Sequence, residues 1–150
     1  MAGEYDERVR VRTGAVASRP IAPVGMPRHL ATVGGLNLEG SCIHVKGFEI
    51  TAKKPATAIQ LRASRREIVD NCIQDMMVGV SGTVGKPSPD DTTRDYSEVT
   101  HDRIAYNKIY RCEYGFMLGG ENWLLASNEV SRLWMYARGR WHSTVLHHNI

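Results

Sequence analysis

Between Ser41 and Ala63 the apolar positions alternate, and the alternation changes phase once. Ile43 and Val45 stand on one parity, and Phe48, Ile50 and Ala52 on the other. One extra residue at Lys46-Gly47 turns every later side chain over, as a β-bulge does. Lys53-Lys54-Pro55 breaks the run, and Ile59 and Leu61 resume it as a second strand. Ser64-Arg65-Arg66-Glu67 then spells a capping box, in which the serine hydroxyl and the glutamate carboxylate satisfy each other's backbone amides. Ile68, Val69, Cys72, Ile73, Met76 and Met77 follow at steps of three and four, leaving Asp70, Asn71, Gln74 and Asp75 to water. That spacing predicts an amphipathic helix, stopped by Gly79 in the left-handed cap.

From Val80 to about Arg103 the pattern predicts a long loop. The chain returns as one long strand in which Tyr106, Tyr110, Cys112, Tyr114, Phe116 and Leu118 share a parity, ended by Gly119-Gly120. Ser127 or Asn128 caps a second expected helix, with Val130, Leu133, Trp134 and Ala137 inward and Gly139 as its stop. Residues 140–150 close as a strand. The expected fold class is α+β, a mostly antiparallel sheet packed with two main helices. An extended Pro-rich N-terminal arm, residues 1–35, precedes it; Pro20, Pro23 and Pro27 stiffen the arm toward a polyproline conformation. Residues 36–150 form the single globular domain.

Composition narrows the classes. With 150 residues, 42% hydrophobic and 23% charged, the chain is expected to be one soluble globular domain. No run approaches the roughly 18 apolar residues of a membrane-spanning helix, and the first residues lack the apolar core of a secretion signal. The net charge of +3 is unevenly laid out: +2 over residues 1–30, +4 over 31–66, −6 over 67–102 and +3 over 103–150. Cys42, Cys72 and Cys112 are odd in number and widely spaced, so buried, reduced thiols are expected rather than a disulfide framework.

Catalytic and metal motifs fail on spacing. The glycine-rich "VGVSGTVGKP" follows a predicted helix, and Lys86 precedes Pro87 instead of a Ser/Thr opening a helix, so it is not a phosphate loop. Cys42, His44, Cys112, His142, His147 and His148 give no paired short spacing for zinc. Asp90, Asp91 and Asp95 lack calcium-loop spacing. Cys72 and Cys112 lie on apolar faces that favour inert thiols. No cofactor or metal is expected, and an enzyme using Cys112 or His101 is the weakest of three functional classes.

The basic residues carry more. Arg8, Arg10, Arg12, Lys46, Lys53, Lys54, Arg62, Arg65 and Arg66 are expected to form a surface for RNA phosphates or anionic lipid head groups. No aromatic-rich RNA-binding signature accompanies them, which leaves sequence-independent binding. Pro20, Ile21, Pro23, Val24, Met26 and Pro27 form a stiff, partly apolar peptide suited to docking in a groove of a second copy.

The stretch "QLRAS…QDMMVGVSGTVGKP" resembles the matrix proteins of rhabdoviruses. In that family a strand with Leu-Arg-x-Ser leads into a helix ending in Asp, Met, spaced glycines and a proline, here Leu61, Arg62, Ser64, Asp75, Met76 or Met77, Gly79, Gly82 and Pro87. The chain lacks the Pro-Pro-x-Tyr budding motif and is shorter than the animal-virus members; a plant-infecting member would fit both departures. The resemblance implies a structural, non-enzymatic role in the virion: self-association into a lattice, and bridging of the viral nucleocapsid to the inner face of the host membrane from the host cytoplasm. The alternative is a sequence-independent RNA-binding protein, such as a silencing suppressor or small coat protein.

Overall fold

Short strands, most of them with one side chain turned inward and its neighbours turned out, follow one another around a common core. The computed structural model describes residues 4–26, 31–82, 100–131, 135–138, 141–142 and 145–147, with side chains described over 7–26, 31–82 and 100–131. β1 (Glu4–Val11) and β2 (Ala31–Leu38) open the chain, and β3 (His44–Lys46), β4 (Phe48–Ile50) and β5 (Thr57–Leu61) make the first full turn. β6 (Glu67–Val69), β7 (Cys72–Gln74) and β8 (Val78–Gly82) make the second, and β9 (Arg103–Ala105), β10 (Lys108–Tyr110) and β11 (Tyr114–Leu118) the third. β12 (Gly120–Glu121), β13 (Leu124–Ala126), β14 (Glu129–Ser131) and β15 (Met135–Arg138) make the fourth, and β16 (Trp141–His142) and β17 (Val145–His147) begin a fifth.

Each strand pairs in parallel with its counterpart one turn on. The first face stacks β3, β6, β9, β13 and β17; the second stacks β4, β7, β10 and β14; the third stacks β5, β8, β11 and β15. β2 bends at Gly34-Gly35, so that Ala31–Val33 start the second face and Leu36–Leu38 the third. The sheets therefore nearly close around one core, as a parallel β-solenoid. On the second face Glu49, Cys72, Lys108 and Glu129 are successive partners, at steps of 23, 36 and 21 residues. The longest step takes in residues 83–99, which lie outside the described residues.

This overturns the α+β expectation. The described residues contain no helix, and every pairing between named strands is parallel rather than antiparallel. The stretch expected as a capped helix is β6, β7 and β8. Ser64 does not cap it: the Ser64 hydroxyl accepts from the Thr100 amide at 3.1 Å, across to the next turn, while the Glu67 amide donates to Ile43 O. The long strand expected over 103–118 is three strands, and the second expected helix is β14 and β15 over its described residues. The supposed arm is also part of the body. β1 pairs with β2 from Glu4 to Val11, and Ile21 and Val24 form parallel bridges to Ile43 and Lys46.

Inward residues recur at gaps of two and three, because each three-residue strand is followed by a sharp corner. Val45, Ile68, Ile104 and Leu125 stack beneath the first face. Ile50, Ile73, Ile109 and Val130 stack beneath the second, and Ile59, Val80 and Phe116 beneath the third. All but the half-buried Val130 are fully or almost fully buried, so the β-branched enrichment matches side chains packed on the buried inner face of a sheet.

The corners use left-handed residues. Asp70, Tyr106 and Ser127 (φ 60, 58 and 52°) turn the first face into the second, where the earliest turn uses Gly47 (φ 78°). Cys42, Arg65, His101 and Asn122 turn the third face into the first, and Asp75 and Arg111 the second into the third. A non-glycine residue held there costs roughly 1–2 kcal/mol, so each corner needs compensation.

At the first-to-second corner an asparagine ladder supplies it. Oδ1 of Asn71 accepts from the Phe48 amide at 3.1 Å, Oδ1 of Asn107 from the Asn71 amide at 3.0 Å, and Oδ1 of Asn128 from the Asn107 amide at 3.1 Å. Nδ2 of Asn107 in turn donates to Ile68 O and Ala105 O.

At the third-to-first corner the stacked positions are Ile43, Arg66, Asp102 and Trp123. Arg66 and Asp102 form a two-pronged pair, Nη2 to Oδ2 at 2.9 Å and Nε to Oδ1 at 3.1 Å, with both side chains fully buried. The Arg66 amide donates to the same carboxylate, and Nη1 to Leu38 O. Burial pushes Asp102 up to about 6 against the opposing pull of Arg66. Trp123 is buried and donates to Gly119 O at 3.2 Å. A side chain at Gly82 would lie 2.4 Å from the Trp123 ring, so this position has room only for glycine.

Candidate functional site

A solenoid presents its outward side chains in rows, one per turn, about 4.8 Å apart. On the second face those rows are polar. Glu49, Cys72, Lys108 and Glu129 form one, and Gln74, Tyr110 and Ser131 the next. A groove of about 410 Å³ runs across them, lined by Cys72, Lys108, Tyr110, Arg111, Glu129 and Ser131.

The side chains are already fixed against one another. Gln74 Nε2 donates to Glu49 Oε1 at 2.6 Å, while Gln74 Oε1 accepts from Arg111 Nη2 at 2.6 Å. Arg111 also grips Asp75 through Nε and Nη2, both at 2.7 Å. Its guanidinium stands 4.6 Å from the centre of the Tyr110 ring, a cation–π distance. Lys108 pairs with Glu129 at 3.4 Å. Tyr106, exposed, marks the other end of β10, with Arg103 5.8 Å from its ring centre.

Protonation follows from these contacts. The hydrogen bond from Arg111 holds Asp75 below the usual carboxylate range, and Asp75 holds Arg111 above its own ordinary value. Burial raises the Cys72 thiol and the Tyr110 phenol, whose groups approach at 3.9 Å. Burial likewise raises Cys112. A raised thiol is a poor nucleophile at neutral pH. Glu49 and Glu129 stand three rungs apart, about 14 Å along the axis, well beyond the roughly 5–9.5 Å of a glycoside-cleaving carboxylate pair. What the groove offers is hydrogen bonding and an aromatic ring.

The residues singled out from the sequence are scattered around the cross-section. Lys46 faces outward on the first face, beside a groove of about 250 Å³ where Glu67 bridges His44 at 3.5 Å and Arg103 at 3.0 Å. Lys53 and Lys54 are exposed at the second-to-third corner, and Arg62 and Arg65 at the third-to-first corner. Arg10 and Arg12 pair with Glu39 at 3.4 and 3.7 Å, and Arg8 is half-buried. Arg66 lies inside the body and contributes nothing to a surface.

The peptide expected to dock on a second copy runs beside β3 of its own chain. The Ile21 amide donates to Cys42 O, and Ile21 O and Pro23 O accept from His44 and Lys46. Pro20, Val24 and Met26 are exposed. Pro27, Lys86, Asp90, Asp91, Asp95 and His148 lie outside the described residues. Among the described residues no three of His, Cys, Asp and Glu converge on a metal position.

The sequence reading missed the groove because it placed Tyr110 on an apolar strand face and Gln74 on a helix. The available signal was an internal repeat, an aliphatic residue, two others, Asn, one other, aliphatic. Ile68–Ile73, Ile104–Ile109 and Leu125–Val130 all spell it, at steps of 36 and 21. Comparison with known proteins adds no constraint: no family model matches the chain, and no curated protein or solved structure matches it significantly.

Proposed function

We propose that the protein is a non-catalytic binding module whose second face takes an extended, hydroxyl-rich polymer, a neutral or weakly charged polysaccharide. The observation that carries this reading is the pre-tied polar ladder Glu49–Gln74–Arg111–Asp75 beside Tyr110, spread over successive rungs. Rung spacing is close to the length of one sugar in an extended glycan, so successive rungs meet successive sugars. Carboxylates, amides and guanidinium match hydroxyl donors and acceptors, and a ring edge or face meets the C–H side of a sugar. Side chains already fixed lose little entropy on binding. The charges in the groove are mixed, which argues against a strongly anionic chain.

Affinity electrophoresis in gels cast with soluble polysaccharides tests this. The native chain is expected to be retarded by at least one neutral or weakly acidic glycan, and Tyr110→Ala to weaken that by about tenfold, the scale of one aromatic contact. Retardation by none, or retardation unchanged in Tyr110→Ala and Lys108→Ala, rejects the reading.

A second reading keeps the structural role expected from the sequence, self-association with RNA or membrane as partner. It is favoured by one observation: the outer edge of β1 has no strand partner among the described residues, and an open edge invites a further parallel strand. Copies would then stack end to end along the solenoid axis. Sedimentation that stays monomeric across protein concentration and salt excludes that.

A further inference from the structure

The second-to-third corner is short in the second and third turns, Asp75 to Met77 and Arg111 to Glu113, three residues between strands each time. In the first turn it runs from Thr51 to Ala56, six residues, and carries Lys53-Lys54-Pro55. The expansion opens a cleft of about 330 Å³ lined by Arg8, Gly34, Ala52, Lys53, Lys54 and Ala56. Three of those six are cations and none is an acid.

Arg8 is the informative member. Its Nη1 donates to Asn37 Oδ1 at 2.8 Å and its Nη2 to Thr57 O, which fixes the guanidinium half-buried between turns. Elsewhere Arg10, Arg12, Arg66, Arg103 and Arg111 each meet a carboxylate. Arg8 meets none among the described residues, and desolvation lowers its ordinary value. A positioned, partly desolvated guanidinium with donors to spare, beside Lys53 and Lys54 and walled by glycine and alanine, offers directed hydrogen bonds to an anion. Gly34 leaves the backbone open to close approach, and Pro55 stiffens the widened corner.

We propose that this cleft binds a tetrahedral oxyanion, a phosphate or sulfate group, with Arg8 supplying the directed donors and Lys53 and Lys54 the charge. The site is separate from the polysaccharide groove and stands or falls without it.

The test uses the full chain and small probes, inorganic pyrophosphate and sulfate, titrated by calorimetry at fixed ionic strength set with sodium chloride. Saturable binding of either anion is expected, and which one binds more tightly distinguishes phosphoryl from sulfuryl ligands. Lys53→Gln/Lys54→Gln should weaken it by at least about tenfold, the scale of one lost charge-assisted hydrogen bond. Arg62→Gln/Arg65→Gln, which removes the same charge from exposed positions at another corner, should leave it within about twofold. No saturable binding, an unchanged Lys53→Gln/Lys54→Gln variant, or equal loss in both variants overturns the proposal.

Discussion

Two corners of the same solenoid solve one backbone problem by different chemistry. At both, a left-handed residue turns the chain, and the next side chain points inward to stack with its counterparts. The first-to-second corner repeats one answer: Asn71, Asn107 and Asn128 each bond the turn before. The third-to-first corner uses a different residue every time, Ile43, Arg66, Asp102 and Trp123. A neutral amide that both donates and accepts passes the pattern on unchanged, so every turn of the ladder is alike. A charged pair closes on itself, because Arg66 and Asp102 satisfy each other and need an apolar neighbour above and below. The ladder is therefore a periodic device, and the ion pair is a local fit.

The largest expected effect breaks the local fit. Asp102→Ala leaves Arg66 charged and buried with no counter-ion, and should cost about 3–5 kcal/mol in urea unfolding. Replacing both partners, Arg66→Met with Asp102→Leu, should recover most of that loss, because neither desolvated charge remains. If the double variant is as unstable as the single one, the pair does more than neutralise itself.

Breaking the ladder comes next. Asn107→Ala strands the Asn71 amide and the carbonyls of Ile68 and Ala105. The expected cost is about 3 kcal/mol, a few unsatisfied buried groups at about 1 kcal/mol each. A cost below about 1 kcal/mol would show that the ladder is not holding the corner. Gly82→Ala is smaller, about 1–3 kcal/mol, because the new methyl must push the buried Trp123 ring aside. Its near-ultraviolet dichroism should change with the ring's setting, and an unchanged tryptophan signal contradicts the contact.

The last comparison separates the two corners by pH. The folded state holds the Asp102 proton up to about 6, above the ordinary carboxylate value. The stability tied to that proton is therefore full below the ordinary value and lost as pH rises through about 6. Relative to Asp102→Asn, the native chain should lose stability from about pH 4 to about pH 6 and then level off. The cost of Asn107→Ala, with no titrating group at its site, should be flat over the same range. A slope of the opposite sign would mean that Arg66 dominates burial.

Part of this architecture was legible in the residues. The phase change at Lys46-Gly47 was correctly located, though its cause is a corner rather than a bulge. Of the alternating apolar positions in that stretch, Ile43, Val45, Ile50, Ile59 and Leu61 are buried, while Phe48 and Ala52 are half-buried. The helix misreading has a physical origin. Strands of three residues joined by corners of two and three residues place inward side chains at 68, 73 and 76, a spacing that also fits a helical stripe. Val69, Cys72 and Met77 completed that stripe in sequence, yet they face outward in the structure. Asn71 looked like a solvated polar residue, because a buried amide is recognisable only once its partner 36 residues away is known. The groove failed to show for the same reason: Gln74, Lys108, Tyr110 and Glu129 become neighbours only when the rungs are in register.

Register is thus the claim on which everything else rests, and nuclear Overhauser contacts between backbone protons measure it directly. The solenoid predicts parallel-strand contacts linking Ile68 to Ile104 and Ile104 to Leu125, with Ile73 to Ile109 on the neighbouring face. Sequential amide–amide contacts with Hα to amide contacts three residues on, running through residues 65–79 without those long-range pairs, would contradict it.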